Sequence, residues 1–345
     1  MNDQPVVITR DLTKKYGDFV ALDSLSIELH RGRILGFIGP NGAGKTTTIR
    51  ILVGLAEPSS GTAMIAGCDC TKDTPRIKRL VGYMPDTFGS YENMRVREYL
   101  DFFGAAYRIP RQVRARRIEY VMDLCSAAWM KDRFVEALSH GMKQRVGLCR
   151  TLLHDPEVLI LDEPANGLDP NARIEMRQIL LRLAEAGKTL IVTSHILPEL
   201  SRICDTVAIV TRGRLRAFGT LDEIMKSLRQ RRMMEVQLHR REDVQPLVGI
   251  LRQSLEADAD VQPSPQELEV RFSTGLDDAQ LAAVLRRIVQ QGIEVIQFGE
   301  VPLDLEDAFL SVTRAEAEED AAAEGKVVNS DGGVVEEDEA TKVRP

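Results

Sequence analysis

The stretch Ile34-Leu-Gly-Phe-Ile-Gly-Pro-Asn-Gly-Ala-Gly-Lys-Thr-Thr-Thr-Ile-Arg-Ile-Leu52 decides the fold. Its first five residues form a short apolar run, which reads as a buried strand. Residues 39–46 then satisfy G-x-x-x-x-G-K-[ST], and Thr47 to Leu52 read as a helix. Strand, glycine-rich loop and helix in that order form a phosphate cradle. The glycines let the backbone curl so that N–H groups turn inward, and the helix N-terminus adds partial positive charge. Average composition produces such a pattern in a chain this long by chance only about once in a hundred. Gly39, Pro40, Asn41, Gly42, Ala43, Gly44, Lys45, Thr46 and Thr47 are therefore expected to bind nucleotide. Lys45 is expected to bridge the β- and γ-phosphates, and Thr46 to offer its hydroxyl to Mg²⁺.

Two more runs read as buried strands, Val158-Leu-Ile-Leu161 and Leu190-Ile-Val-Thr193. Each ends at a polar segment, and parallel sheets place ligands at the carboxyl ends of their strands. The first runs directly into Asp162-Glu-Pro164. Two carboxylates at the end of an apolar strand are costly unless a cation or water uses them. Asp162 is expected to hold Mg²⁺ through water, and Glu163 to polarise the attacking water. Neighbouring residues in a strand face opposite ways, so the pair can share a site only at the strand end. The alternative is that one of them caps a helix.

Residues 4–230 alternate short apolar runs with helical patterns, the signature of a mainly parallel α/β sheet. Ile8–Leu29 and Gly61–Gly67 read as antiparallel strands joined by glycine turns. Between about 88 and 150 the pattern is helical, with Val96, Leu100, Phe103 and Tyr107 on one stripe and Pro110 as a stop. From 232 to 314 a smaller α+β domain of βαββαβ type is expected. Its strands are Met234–Leu238, Glu267–Phe272 and Glu294–Phe298, with helices near 243–256 and 277–291. Residues 315–345 hold ten acidic and three basic side chains and no aromatic residue, and are expected to be disordered.

The net charge of −7 resides in that tail, and the remainder is neutral. No overall basic excess argues for nucleic-acid binding. The clusters at 111–117 and 229–232 read as solvated faces. No apolar run approaches a membrane span, and Val6-Val-Ile8 is too short for the apolar core of an export signal. A membrane role would require a partner that supplies the spanning helices. The five scattered cysteines suit a reducing compartment, and Cys68-Asp-Cys70 reads as a turn rather than a metal site.

Over residues 4–230 the sequence resembles the ATPase subunits of ABC transporters. Leu138-Ser-His-Gly-Met142, followed by Lys143-Gln-Arg145, stands where that family has its signature. Gly167-Leu-Asp169 matches the D-loop, and His195 matches the switch histidine. Tyr16, in Lys14-Lys-Tyr-Gly17, corresponds to the aromatic that stacks on adenine. The resemblance implies a P-loop NTPase (RecA-like) core with an antiparallel β subdomain and a helical subdomain. It also implies a head-to-tail homodimer holding two ATP molecules with Mg²⁺. Each site would take the phosphate loop of one protomer and the signature residues Ser139 and Gly141 of the other, and Asp169 is also expected to bind nucleotide. His195 would contact the γ-phosphate.

Two positions depart from the family pattern. His140 and Met142 replace the commonest Gly and Gln of the signature, a variant that resembles ABC-2 exporter ATPases. Asp86 follows Val81-Gly-Tyr-Met-Pro85 where the family has the Q-loop glutamine. It is expected to keep a metal contact and to make turnover more Mg²⁺-dependent, the alternative being an outward-turned cap. Glu306-Asp-Ala-Phe-Leu310 and Leu197-Pro-Glu-Leu200 add to the exporter resemblance. The implied function is the energising subunit of an exporter, at the cytoplasmic face of the membrane beside a separate permease. A soluble ATPase acting on ribosomes, DNA or an assembly machine is the second reading. A single cassette without a coiled-coil insertion counts against it. A silent ATP-binding subunit is the third, opposed by the presence of Glu163 and His195.

Overall fold

The computed structural model describes residues 4–86, 93–194, 197–228, 232–255, 259–264, 268–301, 309, 327–328 and 334–335. His195 and most of 302–345 lie outside the described residues. So does the expectation of a disordered tail, of which only the two-residue ladder Val327–Val328 with Val334–Val335 is described. The chain divides into two compact units between Leu221 and Asp222.

In the first unit β1 (Pro5–Tyr16), β2 (Phe19–His30), β4 (Ser60–Ile65) and β5 (Cys68–Asp69) form an antiparallel sheet in the order β2-β1-β4-β5. The Cys68 segment, read as a turn, is in fact this short edge strand. Cys68 and Cys70 pack in the core, where burial pushes the Cys70 thiol up to about 12. A second sheet joins β3 (Ile34–Ile38), β6 (Val81–Met84), β7 (Val158–Leu161), β8 (Thr189–Thr193), β9 (Thr206–Thr211) and β10 (Arg214–Gly219). Its order is β10-β9-β3-β8-β7-β6, parallel from β9 to β6 with an antiparallel hairpin at β10. β3, β7 and β8 are buried at every position, which explains their unbroken apolar runs.

α1 (Lys45–Leu52) follows β3, and α2 (Thr74–Leu80) leads into β6. The helical stretch is α3 (Val96–Ala106), α4 (Arg111–Leu124) and α5 (His140–Leu152), packed on one another. On α3 the buried residues are Val96, Tyr99, Leu100 and Gly104, while Phe103 is only half-buried. Tyr107 leaves the expected stripe because the helix ends at Ala106 and Tyr107 is its C-cap. Its ring instead stacks on His154, with centroids 4.4 Å apart. α6 (Pro170–Glu185) and α7 (Leu197–Ser201) flank β8 in sequence.

The second unit opens with α8 (Leu221–Leu228), whose first residue lies on the other side of the division. It continues with β11 (Arg232–Leu238), α9 (Val244–Ser254), β12 (Val261–Ser264), β13 (Glu269–Thr274), α10 (Asp278–Gln290) and β14 (Val295–Glu300). The antiparallel order β12-β13-β11-β14 is the split βαβ arrangement. Alternate residues Met234, Val236 and Leu238 pack with Val270 and Phe272 against Leu247, Leu251 and Ile288 of the two helices.

Candidate functional site

The phosphate loop emerges from β3 and closes on α1, and steric contact explains its glycines. A Cβ at Gly39 would overlap the Val210 carbonyl of β9 and lie 2.9 Å from Ala43 Cβ. Gly44 caps α1 at φ 107°, where a Cβ would meet Leu22 Cδ2 at 2.7 Å and the Ala21 carbonyl at 2.8 Å. Both positions demand glycine. The loop is tied at its base by the Gly213 N–H donating to the Ala43 carbonyl at 2.9 Å.

Asn41 to Thr47 line one wall of a cavity of about 360 Å³. Gly39 and Pro40 are not among its lining, and their carbonyls accept from Lys45 Nζ at 2.5 and 3.1 Å. Burial pulls the Lys45 pKa down, while the negative charge of Glu163 and Asp162 pulls it back up. Asp162, Glu163 and Asp86 line the same cavity. Strand alternation does not separate the first two, because Asp162 lies beyond the end of β7 and Glu163 takes a left-handed conformation, φ 51°. Thr193, at the end of β8, pins this turn. Its hydroxyl accepts from the Glu163 N–H at 2.9 Å and donates to Asp162 Oδ1 at 2.7 Å. A left-handed non-glycine residue costs about 1–3 kcal/mol, so such a turn persists where its surroundings fix it.

Asp86 is among the residues that line the cavity, and the segment that it would otherwise cap lies outside the described residues. Its Oδ1 accepts from Asn166 Nδ2 at 3.3 Å. At the outer rim Tyr16 and Phe19 face each other across the Gly17-Asp18 turn of the β1–β2 hairpin, both exposed. Phe19 and Ala21 complete the lining. The sequence reading missed Phe19, although its pairing with Tyr16 across a two-residue turn was the available signal. It also missed Thr193, Asn166 and Gln144, polar residues that place the carboxylates without belonging to a motif.

Ser139, Gly141 and Asp169 do not line this cavity. Ser139 is exposed at the N-cap of α5, its Oγ accepting from the Met142 N–H at 3.4 Å. Asp169 is exposed at the N-cap of α6, accepting from the Ala172 N–H at 2.9 Å. Both stand at helix N-termini, where unpaired amides attract anions. A nucleoside triphosphate suits this cavity by the chemistry of its lining. Its phosphates would meet the loop and Lys45. Thr46 and Asp162 are the lining residues that could hold a cation together with phosphate oxygens, since no group of three or more acidic, histidine or cysteine side chains among the described residues is set to hold a metal alone.

A family model described as ABC transporter matches residues 22–166, and one described as AAA domain, putative AbiEii toxin, Type IV TA system, matches 133–202. The chain is similar to the bacitracin transport ATP-binding protein BcrA of Bacillus licheniformis, 36% identical over 89% of this chain and 97% of that one. It is also similar to the Nod factor export ATP-binding protein I of Ralstonia nicotianae, 32% identical over 90% and 95%. An uncharacterized ABC transporter ATP-binding protein of Synechocystis sp. is 41% identical over 59% of this chain, and the match spans 58% of that protein. Among solved structures, an ATP binding subunit of an ABC transporter superposes with a TM-score of 0.59 at 31% identity. It covers 64% of this chain and 92% of its own. The chain belongs to the ATP-binding proteins of ABC transporters and is an ATP-hydrolysing subunit of that family.

Proposed function

We propose that the chain energises export across a membrane as a head-to-tail homodimer seated on a separate membrane-spanning subunit at its cytoplasmic face. The observation that carries this reading is that the motif residues divide between this cavity and two exposed helix ends. The phosphate loop, Asp162, Glu163 and Asp86 line the cavity, while the N-terminal ends of α5 and α6 do not. A second copy presenting Ser139, Gly141 and Asp169 would complete the site, so ATP would join two protomers and its hydrolysis release them. The bound Mg²⁺ would neutralise phosphate charge between Thr46, Asp162 and Asp86. Glu163 would then orient and polarise the attacking water, and His195 would meet the γ-phosphate. Among the described residues no helix is long and apolar enough to cross a membrane, and in this reading the partner supplies the translocation path. Relatives named for bacitracin transport and Nod factor export support the export direction.

Protein concentration tests the composite site. Specific ATPase activity should rise with concentration until the dimer saturates. A specific activity that stays constant from nanomolar to micromolar protein would count against a shared site.

A further inference from the structure

Behind Asp86 three polar residues tie together the turn after β7, the start of α5 and the end of β6. Asn166, in that turn, donates from Nδ2 to Asp86 Oδ1 at 3.3 Å. The Asn166 carbonyl lies 2.9 Å from Nε2 of His140, the first residue of α5. A carbonyl only accepts, so Nε2 of His140 carries the proton. Gln144, one turn along α5 and 1% exposed, donates from Nε2 to the Asp86 carbonyl at 3.4 Å. Its 3.5 Å approach to His140 Nε2 therefore sets two donors side by side and is not a bond. Gln144 Oε1 stays buried with no hydrogen-bond partner among the described residues. The His140 ring also packs on Gly167, where a Cβ would come within 3.4 Å of Cδ2 and Nε2. Gly167 sits at φ 67°, in the left-handed region that favours glycine.

We propose that His140 is a positioning residue that latches α5 to the turn after β7 and, through Asn166, fixes the Asp86 carboxylate at the metal end of its own protomer's cavity. The inference rests on the reading of that cavity as a Mg·ATP site. It joins the two halves of the machinery within one chain. The helix end that completes the neighbour's site is hydrogen-bonded to the turn that places a carboxylate in its own. Movement of α5 toward a bound phosphate would then be felt at Asp86.

The test compares His140→Ala, His140→Gln and Asn166→Ala in the full chain. Hydrogen exchange of residues 163–169 is followed, together with Mn²⁺ binding by electron paramagnetic resonance in the presence of ADP. His140→Ala should speed exchange in the turn and raise the half-saturating Mn²⁺ concentration about fivefold, the scale of one lost hydrogen bond. His140→Gln, which keeps an amide donor, should restore both. Asn166→Ala should give the same metal shift, with no further shift in the double variant. His140 is exposed at the surface, so its replacement leaves the core intact. Parental exchange and metal binding in His140→Ala, or additive shifts in the double variant, would overturn the latch while leaving the Mg·ATP reading standing. A parent protein that binds neither ADP nor Mn²⁺ would overturn both.

Discussion

Glu163→Gln should lower kcat for ATP hydrolysis by about 10²–10³-fold, the range expected when a positioned general base is lost. The substitution is isosteric, and the backbone around it is held independently of the carboxylate. The Glu163 N–H is bonded to Thr193 Oγ1, and Thr193 holds Asp162 in turn. The left-handed turn that brings both side chains into one cavity is therefore kept, and only the negative charge that would polarise water is removed. Nucleotide affinity should stay near the parental value, because the phosphate loop and Lys45 are untouched. ATP that binds and is not cleaved should accumulate as dimer, read as a doubled mass by light scattering in the presence of Mg·ATP. Parental turnover in this variant would remove Glu163 from the chemistry.

Gly39→Ala should weaken nucleotide binding by about 10- to 100-fold, with an accompanying loss of stability of ~1–3 kcal/mol from overpacking. The added methyl would run into the Val210 carbonyl and Ala43 Cβ, so either β9 or the loop must give way. Those same contacts hold the loop where Lys45 reaches the Gly39 and Pro40 carbonyls. Gly42→Ala makes an instructive contrast. A Cβ there meets open space, and only the left-handed φ of 83° opposes it, at about 1–2 kcal/mol. Calorimetric titration of both variants with a non-hydrolysable ATP analogue separates the two mechanisms. Equal affinities would show that steric contact beneath the loop is not what shapes it.

Much of this architecture was legible because the decisive segments are buried on both faces or bound by motif spacing. β3 spans the five residues that an unbroken apolar run picked out, and β7 spans its four. β8 differs from its expected bounds only by Thr189. In the second unit β12 was counted in the βαββαβ pattern, but its residues could not be named. Pro263 interrupts the alternation, and proline is tolerated there because β12 is a sheet edge. The strand order, with β3 between β9 and β8, depends on long-range pairing that no local pattern encodes.

The site divides in the same way. Motif residues such as Lys45, Asp162 and Glu163 announce themselves by type and spacing. The residues that orient them do not. Thr193 reads as one more β-branched strand residue, yet its hydroxyl bridges the Glu163 backbone and the Asp162 carboxylate. Asn166 lies three residues beyond Glu163, and only the fold brings it to Asp86, eighty positions earlier.

The central claim is that each catalytic site is built from two protomers, and mixing two inactive variants tests it most directly. Lys45→Ala disables the phosphate loop, and Ser139→Ala disables the helix end offered to the neighbour. In a mixed dimer both lesions fall in one site, and the other is assembled from two intact halves. Mg²⁺-dependent ATPase activity should therefore appear on mixing, although neither variant shows it alone. A mixture as inactive as its components, with mixed dimers demonstrably present, would contradict the account.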